Sequence, residues 1–251
     1  MNLNHLFIGD PAAKKIIIFL HEGLGSIAQW KQFPELICEA SNSYGLIYDR
    51  SGYGKSPGSL LNRSINYLEE SALELENLIH STELSRYKLF LYGHSDGGSI
   101  ALIYASKHPE RLSGIITEAA HVFVEEITVE GVRKALPVFT EGKFDGLKKY
   151  HGERFKEVFL AWNNIWLDPA FMTWNISGIL HKISCPVLII QGKNDQYGTL
   201  KQVETIAKLI SGDATVYTPE NCNHAPHKEA QKEVIKIVQQ FIVNLKVHDE
   251  S

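Results

Sequence analysis

The chain has 251 residues, enough for one domain with room for an insertion. Its 44% hydrophobic and 22% charged fractions exclude disorder, collagen and coiled coil as whole-chain structures. With 25 Lys+Arg against 29 Asp+Glu and a net charge of -4, no face-wide basic surface for nucleic acid can be assembled.

The first residues, Met1 to His5, lack the charged start and long apolar core of a signal peptide. Leu3–Ile8 alternates weakly, in the manner of an edge strand. Ile16–Leu20 is a purely apolar run of five and is too short to span a bilayer. Further short runs follow at Gly45–Tyr48, Lys88–Tyr92, Gly114–Thr117, Val187–Gln191 and Thr215–Tyr217. Most are rich in Ile, Leu and Val and are bounded by Gly, Pro, Asp or His, as are parallel strands covered on both faces. Helical spacing fills the intervals. Leu68, Ala72, Leu75 and Ile79 share one face, as do Ile100, Ile103 and Tyr104 after Gly97-Gly98. Val203, Ile206, Ala207 and Ile210 mark another helix, and Val234, Ile237, Val238, Phe241 and Ile242 a last one. This alternation predicts an α/β fold with a mostly parallel sheet. Cys38, Cys185 and Cys222 are odd in number and lack CxxC spacing, so they are expected to be reduced thiols in a cytoplasmic protein.

From His121 to about Ile183 the alternation stops. The segment holds Trp162, Trp166 and Trp174 of the four Trp, together with Phe123, Phe139, Phe144, Phe155, Phe159 and Phe171. We read residues 121–182 as a helical cap over a pocket, inserted into a core of residues 1–120 and 183–251.

Gly93-His94-Ser95-Asp96-Gly97 is a G-x-S-x-G between a predicted strand and a predicted helix. That strand–turn–helix elbow lifts a serine hydroxyl above the edge of a sheet. Gln191-Gly192-Lys193-Asn194-Asp195 puts a carboxylate after another strand, and Asn223-His224-Ala225-Pro226 puts an imidazole before the last helix. Singly, a loop Asp forms turns and a loop His is solvated. In the order Ser95, Asp195, His224 they match nucleophile, acid and base. Glu118 is a second candidate acid, less favoured because Asp195 has a Gly-x-x-Asp turn. His227 is a second candidate base, farther toward the last helix.

The loop His21-Glu22-Gly23-Leu24-Gly25-Ser26 follows Ile16–Leu20. Its backbone N–H groups, from Gly23 or Leu24, would face an oxyanion together with the N–H of Asp96. Candidate substrate contacts are Glu22, His94, Glu118, His121, Trp162 and Trp166. Three other patterns fail. Gly23-x-Gly25-x-x-Ala28 with Asp49 approaches a dinucleotide fingerprint but leaves the elbow, Asp195 and His224 unexplained. Gly54-Lys55-Ser56 lacks the earlier glycine of a P-loop, and Cys222, His224 and His227 lack further ligands at metal spacing.

Over essentially its whole length the chain resembles the α/β-hydrolase superfamily. The resemblance rests on His21–Ser26, on Asp49-Arg50-Ser51-Gly52-Tyr53-Gly54-Lys55-Ser56 as a D-x-x-G-x-G-x-S loop, on the Gly93–Gly97 elbow, and on Asp195 and His224. One departure is Glu22, where most relatives have glycine. The resemblance implies a sheet flanked by helices, a cap inserted after the sixth strand, and a carboxylesterase-like serine hydrolase. It implies a small-molecule acyl substrate, no cofactor, no metal and no membrane or nucleic-acid partner. A small or medium carboxylic ester, cleaved through an acyl-enzyme on Ser95, is the expected substrate. The superfamily also holds C–C bond hydrolases of ring-cleavage products, acyl-thioester hydrolases, pimeloyl-type methyl-esterases and, outside enzymes, ligand receptors. Oligomeric state is left open.

Overall fold

The computed structural model describes residues 2–245. The apolar runs pair into one sheet: β1 (His5–Ile8), β2 (Lys15–Leu20), β3 (Tyr44–Tyr48), β4 (Lys88–His94), β5 (Leu112–Glu118), β6 (Val187–Ile190) and β7 (Ala214–Tyr217). Their order is β1-β3-β2-β4-β5-β6-β7. β1 runs antiparallel to β3, and every other pairing is parallel. The weakly alternating Leu3–Ile8 segment thus supplies an edge strand, open to solvent on one side.

The helices are α1 (Phe33–Ser41), α2 (Tyr67–Ser81), α3 (Asp96–Lys107), α4 (Glu126–Thr140), α5 (Lys148–His151), α6 (Phe155–Leu167), α7 (Leu200–Leu209), α8 (Pro226–Glu229) and α9 (Gln231–Asn244). Strand residues alternate between two cores because successive side chains leave opposite faces. Ile16, Ile18 and Leu20 pack with α2, α3 and α7, whereas Ile17 and Phe19 pack with α1 and α9. No helix among the described residues is long and apolar enough to cross a membrane.

From β2 the chain moves to one side of the sheet to make β3, then crosses back to β4. The C-terminal ends of β2 and β4 therefore flank the point where the winding reverses, the crevice in which open α/β sheets place ligands. The loop after β2 and the elbow after β4 both emerge there.

The aromatic segment is helical, in keeping with its lack of strand-like runs. Its place in the strand order needs correction: it leaves after β5, the fifth strand, and not after a sixth. Only one strand, β1, precedes the parallel run, so every later strand counts one lower. The neck of the insert is pinned where Phe123 bridges Asn175 and Ile176 N–H donates to Val122 O at 2.8 Å. Buried Gln202 of α7 holds the same neck, accepting from Val122 N–H and donating to Phe123 O. The far end is tied down by Arg154, which donates to Gly54 O, Ser56 O and Gly58 O. His151 bridges Gly54 N–H and Leu24 O, each at 3.0 Å.

α3 lies against the strand ends because its first turn carries glycine. A Cβ on Gly97 would come within 2.0 Å of Leu20 O. Gly97→Ala should therefore cost about 3 kcal/mol by overpacking and lower Tm by roughly 6–12 °C in a domain of this size. Thermal denaturation followed by circular dichroism checks this; an unchanged Tm would refute the close approach.

Candidate active site

The elbow begins where β4 ends. Ser95 has φ 53 and ψ -118, a left-handed backbone that a residue with a side chain rarely adopts. The turn is held by Ser95 N–H donating to Glu118 O at 2.8 Å and by Gly98 N–H donating to Ser95 O at 2.8 Å. The side chain is thereby raised above the sheet, and α3 starts directly behind it.

Asp195 and His224 arrive on two neighbouring loops. Asn194 N–H donates to Cys222 O at 2.9 Å, and a Cβ on Gly192 would come within 2.1 Å of Asn223 O. His224 Nε2 lies 2.9 Å from Ser95 Oγ, and its Nδ1 lies 2.9 and 2.8 Å from the two Asp195 carboxylate oxygens. Asp195 is steadied from behind by Gln191 Nε2 at 2.7 Å and Tyr197 N–H at 2.8 Å. Burial alone would raise the Asp195 pKa, but the His224 imidazole holds it below the usual carboxylate value. Burial would likewise depress His224, but the Asp195 carboxylate outweighs it and raises the His224 pKa above 6.5.

The loop after β2 is built from its own polar groups. His21 Nδ1 donates to Glu22 O at 2.7 Å, while Nε2 accepts from Arg50 N–H at 3.1 Å, so the ring is neutral. Burial, reinforced by the Arg50 charge, keeps its pKa well below the ordinary histidine value. Arg50 also donates from Nη2 to Glu22 O at 2.8 Å and lies 3.5 Å from Asp96 Oδ2. Glu22 folds back on the loop, its Oε2 accepting from Leu24 N–H at 3.0 Å. Of the two loop donors read from the sequence, Leu24 N–H is therefore already taken. No protein acceptor among the described residues receives the N–H of Gly23 or Asp96. Gly23 must lack a side chain, since a Cβ would meet Trp162 Cδ1 at 2.5 Å.

These groups border a cavity of about 70 Å³ lined by Glu22, Leu24, Ser95, Asp96, His121, Thr128, Val132, Trp162, Trp166, Tyr197 and His224. Among the described residues, His121 Nδ1 and Trp166 Nε1 are buried without a hydrogen-bond partner.

A family described as serine aminopeptidase, S33, matches residues 11–148, more than half of the chain. The chain belongs to the serine aminopeptidase S33 family. Its fold is that of the α/β-hydrolase superfamily, and its family is one of hydrolases. It is 24% identical to a proline iminopeptidase of Saccharolobus solfataricus, over 96% of this chain and 89% of the relative. It superposes on an esterase from Exiguobacterium antarcticum with a TM-score of 0.72 at 18% identity, covering 96% of each chain. For a monoacylglycerol lipase of Paleococcus ferrophilus the TM-score is 0.70 at 19% identity, covering 98% of this chain and 100% of the other.

Within this S33 scaffold, Glu22, His121, Trp162 and Trp166 border the Ser95 cavity, but His94 and Glu118 do not. The substrate contact expected of these two is not met, because neither belongs to the cavity lining and their polar atoms are engaged by other protein groups. Glu118 Oε1 accepts from His227 Nδ1 at 2.7 Å and from His227 N–H at 3.0 Å, and Oε2 accepts from the Tyr92 hydroxyl. Burial would raise the Glu118 pKa, yet His227 brings it down to about 2. His94 Nε2 donates to His224 O at 2.8 Å, and burial lowers its pKa to about 3. Donor atoms of His94, Glu118 and His227 lie within 4.8 Å of one another. The carboxylate takes three protein donors, so the cluster reads as a hydrogen-bonded support behind the His224 loop. Tyr197 borders the cavity and was not singled out from the sequence; the only hint was its position two residues after Asp195.

The left-handed Ser95 backbone predicts a stability signature. Ser95→Gly should melt higher than Ser95→Ala, by roughly 1 kcal/mol, because only glycine adopts this turn without strain. Paired thermal melts test it, and equal stabilities would show that the turn stores no strain.

Proposed function

We propose that the protein is a serine hydrolase of small or medium carboxylic esters, acting through an acyl-enzyme on Ser95. The observation that carries this reading is the unbroken hydrogen-bonded line from Ser95 Oγ through His224 to Asp195, beside the unpaired N–H groups of Gly23 and Asp96.

Ser95 Oγ attacks the ester carbonyl while His224 Nε2 takes its proton. The carbonyl oxygen becomes an anion, received by the N–H groups of Gly23 and Asp96, each donor worth about 3–4 kcal/mol. The C–O bond breaks, the leaving alcohol takes the proton from His224, and the acyl group stays on Ser95. Water then attacks while His224 takes its proton, the bond from the acyl carbon to Ser95 Oγ breaks, Oγ recovers the proton from His224, and the carboxylic acid departs. Asp195 fixes the imidazole tautomer and stabilises its charged form. The helices between β5 and β6 act as the lid, supplying the aromatic walls Trp162 and Trp166.

Ser95→Ala should cut kcat for p-nitrophenyl acetate roughly 10⁶-fold and abolish fluorophosphonate labelling, with Tm within a few degrees of the parent. Labelling that persists in this variant would refute Ser95 as the nucleophile.

His224 must be neutral to accept the serine proton, and its pKa is raised by Asp195. The acid limb of kcat/KM should therefore have its midpoint above 6.5, with activity lost as pH falls through it. Asp195→Asn should move that midpoint down and slow the reaction by roughly 10⁴-fold. A parental midpoint at or below 6.5 would contradict the assigned pair.

A further inference from the structure

The space at Ser95 is about 70 Å³. A cavity of roughly 150 Å³ is what holds a benzene ring, so this one accepts a short acyl group and little else. A second concavity of about 530 Å³ lies on the outer side of α4. It is lined by Ile127, Ala135, Val138 and Phe144. Its charged rim is neutralised within itself, Lys134 Nζ pairing with Glu130 Oε1 at 2.6 Å. Apolar walls with no net charge suit a hydrocarbon.

One side chain, Tyr197, lines both spaces. Its backbone is fixed: the N–H donates to Asp195, and the carbonyl accepts from His121 Nε2 and from the Thr128 hydroxyl. The ring itself is held by packing alone, and Trp162 meets it edge to face with centroids 6.2 Å apart. On one side that ring meets the His224 imidazole edge to face, with centroids 4.9 Å apart. On the other it rests on Gly131, where a Cβ would come within 2.8 Å of the ring. Glycine weakens a helix interior, and α4 carries one where the Tyr197 ring needs the room.

We infer that Tyr197 is the gate between the reaction cavity and an apolar leaving-group groove, making short-chain acyl esters of apolar alcohols the preferred substrates. This rests on the ester-hydrolase reading. The side is decided by chemistry: His224 Nε2 returns its proton to the leaving oxygen, so the alcohol departs past the imidazole. The groove opens on the far side of the residue that covers that imidazole. The acyl group stays against Trp162 and Trp166.

The test compares acetates of ethanol, hexanol and octanol with ethyl esters of butyrate, hexanoate and octanoate. Expected is a rise in kcat/KM of tenfold or more from ethyl to octyl acetate, and a fall of tenfold or more from ethyl acetate to ethyl octanoate. Val138→Trp, which fills the groove, should bring the octyl-to-ethyl acetate ratio down toward one. Tyr197→Ala, which merges the two spaces, should raise the ratio of ethyl octanoate to ethyl acetate. A preference that grows with acyl length instead, or ratios within twofold of the parent in both variants, would overturn the assignment. If the parent turns over no ester and takes no fluorophosphonate label, the ester-hydrolase reading itself fails and the groove assignment falls with it.

Discussion

The site depends on how closely α3 approaches the sheet. A Cβ on Gly93 would come within 2.2 Å of Gly97 O, one on Gly97 within 2.0 Å of Leu20 O, and one on Gly98 within 2.7 Å of the Ala120 methyl. Gly93 and Gly97 thus let helix and strand ends touch through bare backbone, and Gly98 makes room for the Ala120 methyl. With that contact made, the chain has only a left-handed turn left at Ser95, and the strain is held by bonds to Glu118 O and Gly98 N–H. A hydroxyl that would otherwise lie on a helix start is presented at the winding reversal of the sheet.

Buried charges then hold the surrounding loops to this elbow. Asp49 accepts from Ile27 N–H, Lys55 N–H and the Asn4 side chain, binding the N-terminal segment to the loops after β2 and β3. Gly54 is left-handed, and a Cβ there would come within 2.3 Å of the Asp49 carboxylate. Arg50 reaches from the end of β3 to Glu22 O and Asp96, touching both loops that offer unpaired N–H groups to the cavity. On the opposite side Glu118, His227 and His94 brace the His224 loop. Buried ion pairs are weak evidence of stability; here their observable effect is to fix the separation of loops far apart in sequence.

Much of this was legible in the residues. The strand runs and the faces of α2, α3, α7 and α9 were readable because burial imposes local periodicity. Ser95, Asp195 and His224 were readable because an elbow, an acid turn and a loop histidine each have short signatures in a known order. Other features left no comparable mark. α1 was missed, since its buried residues Phe33, Ile37, Cys38 and Ser41 mix types and surround a proline. Glu118 and His94 looked accessible because a strand end and a motif neighbour say nothing of what packs over them. Leu24 and Gly23 are equivalent as donors in the sequence, and only the folded position of the Glu22 side chain takes one of them.

Sequence alone determined the layered α/β architecture, the helical insert and the identity of the three side chains that meet in one hydrogen-bonded line, Ser95, His224 and Asp195. Each of these is set within a window of a few residues, by spacing, turn chemistry or a strained motif. Tertiary structure decided which groups surround Ser95. It buried Glu118, left the N–H of Gly23 without an acceptor among the described residues, and set the Tyr197 ring between His224 and Gly131. Those outcomes are distances between residues tens to more than a hundred positions apart, and such distances exist only once the sheet has brought its strand ends to one edge.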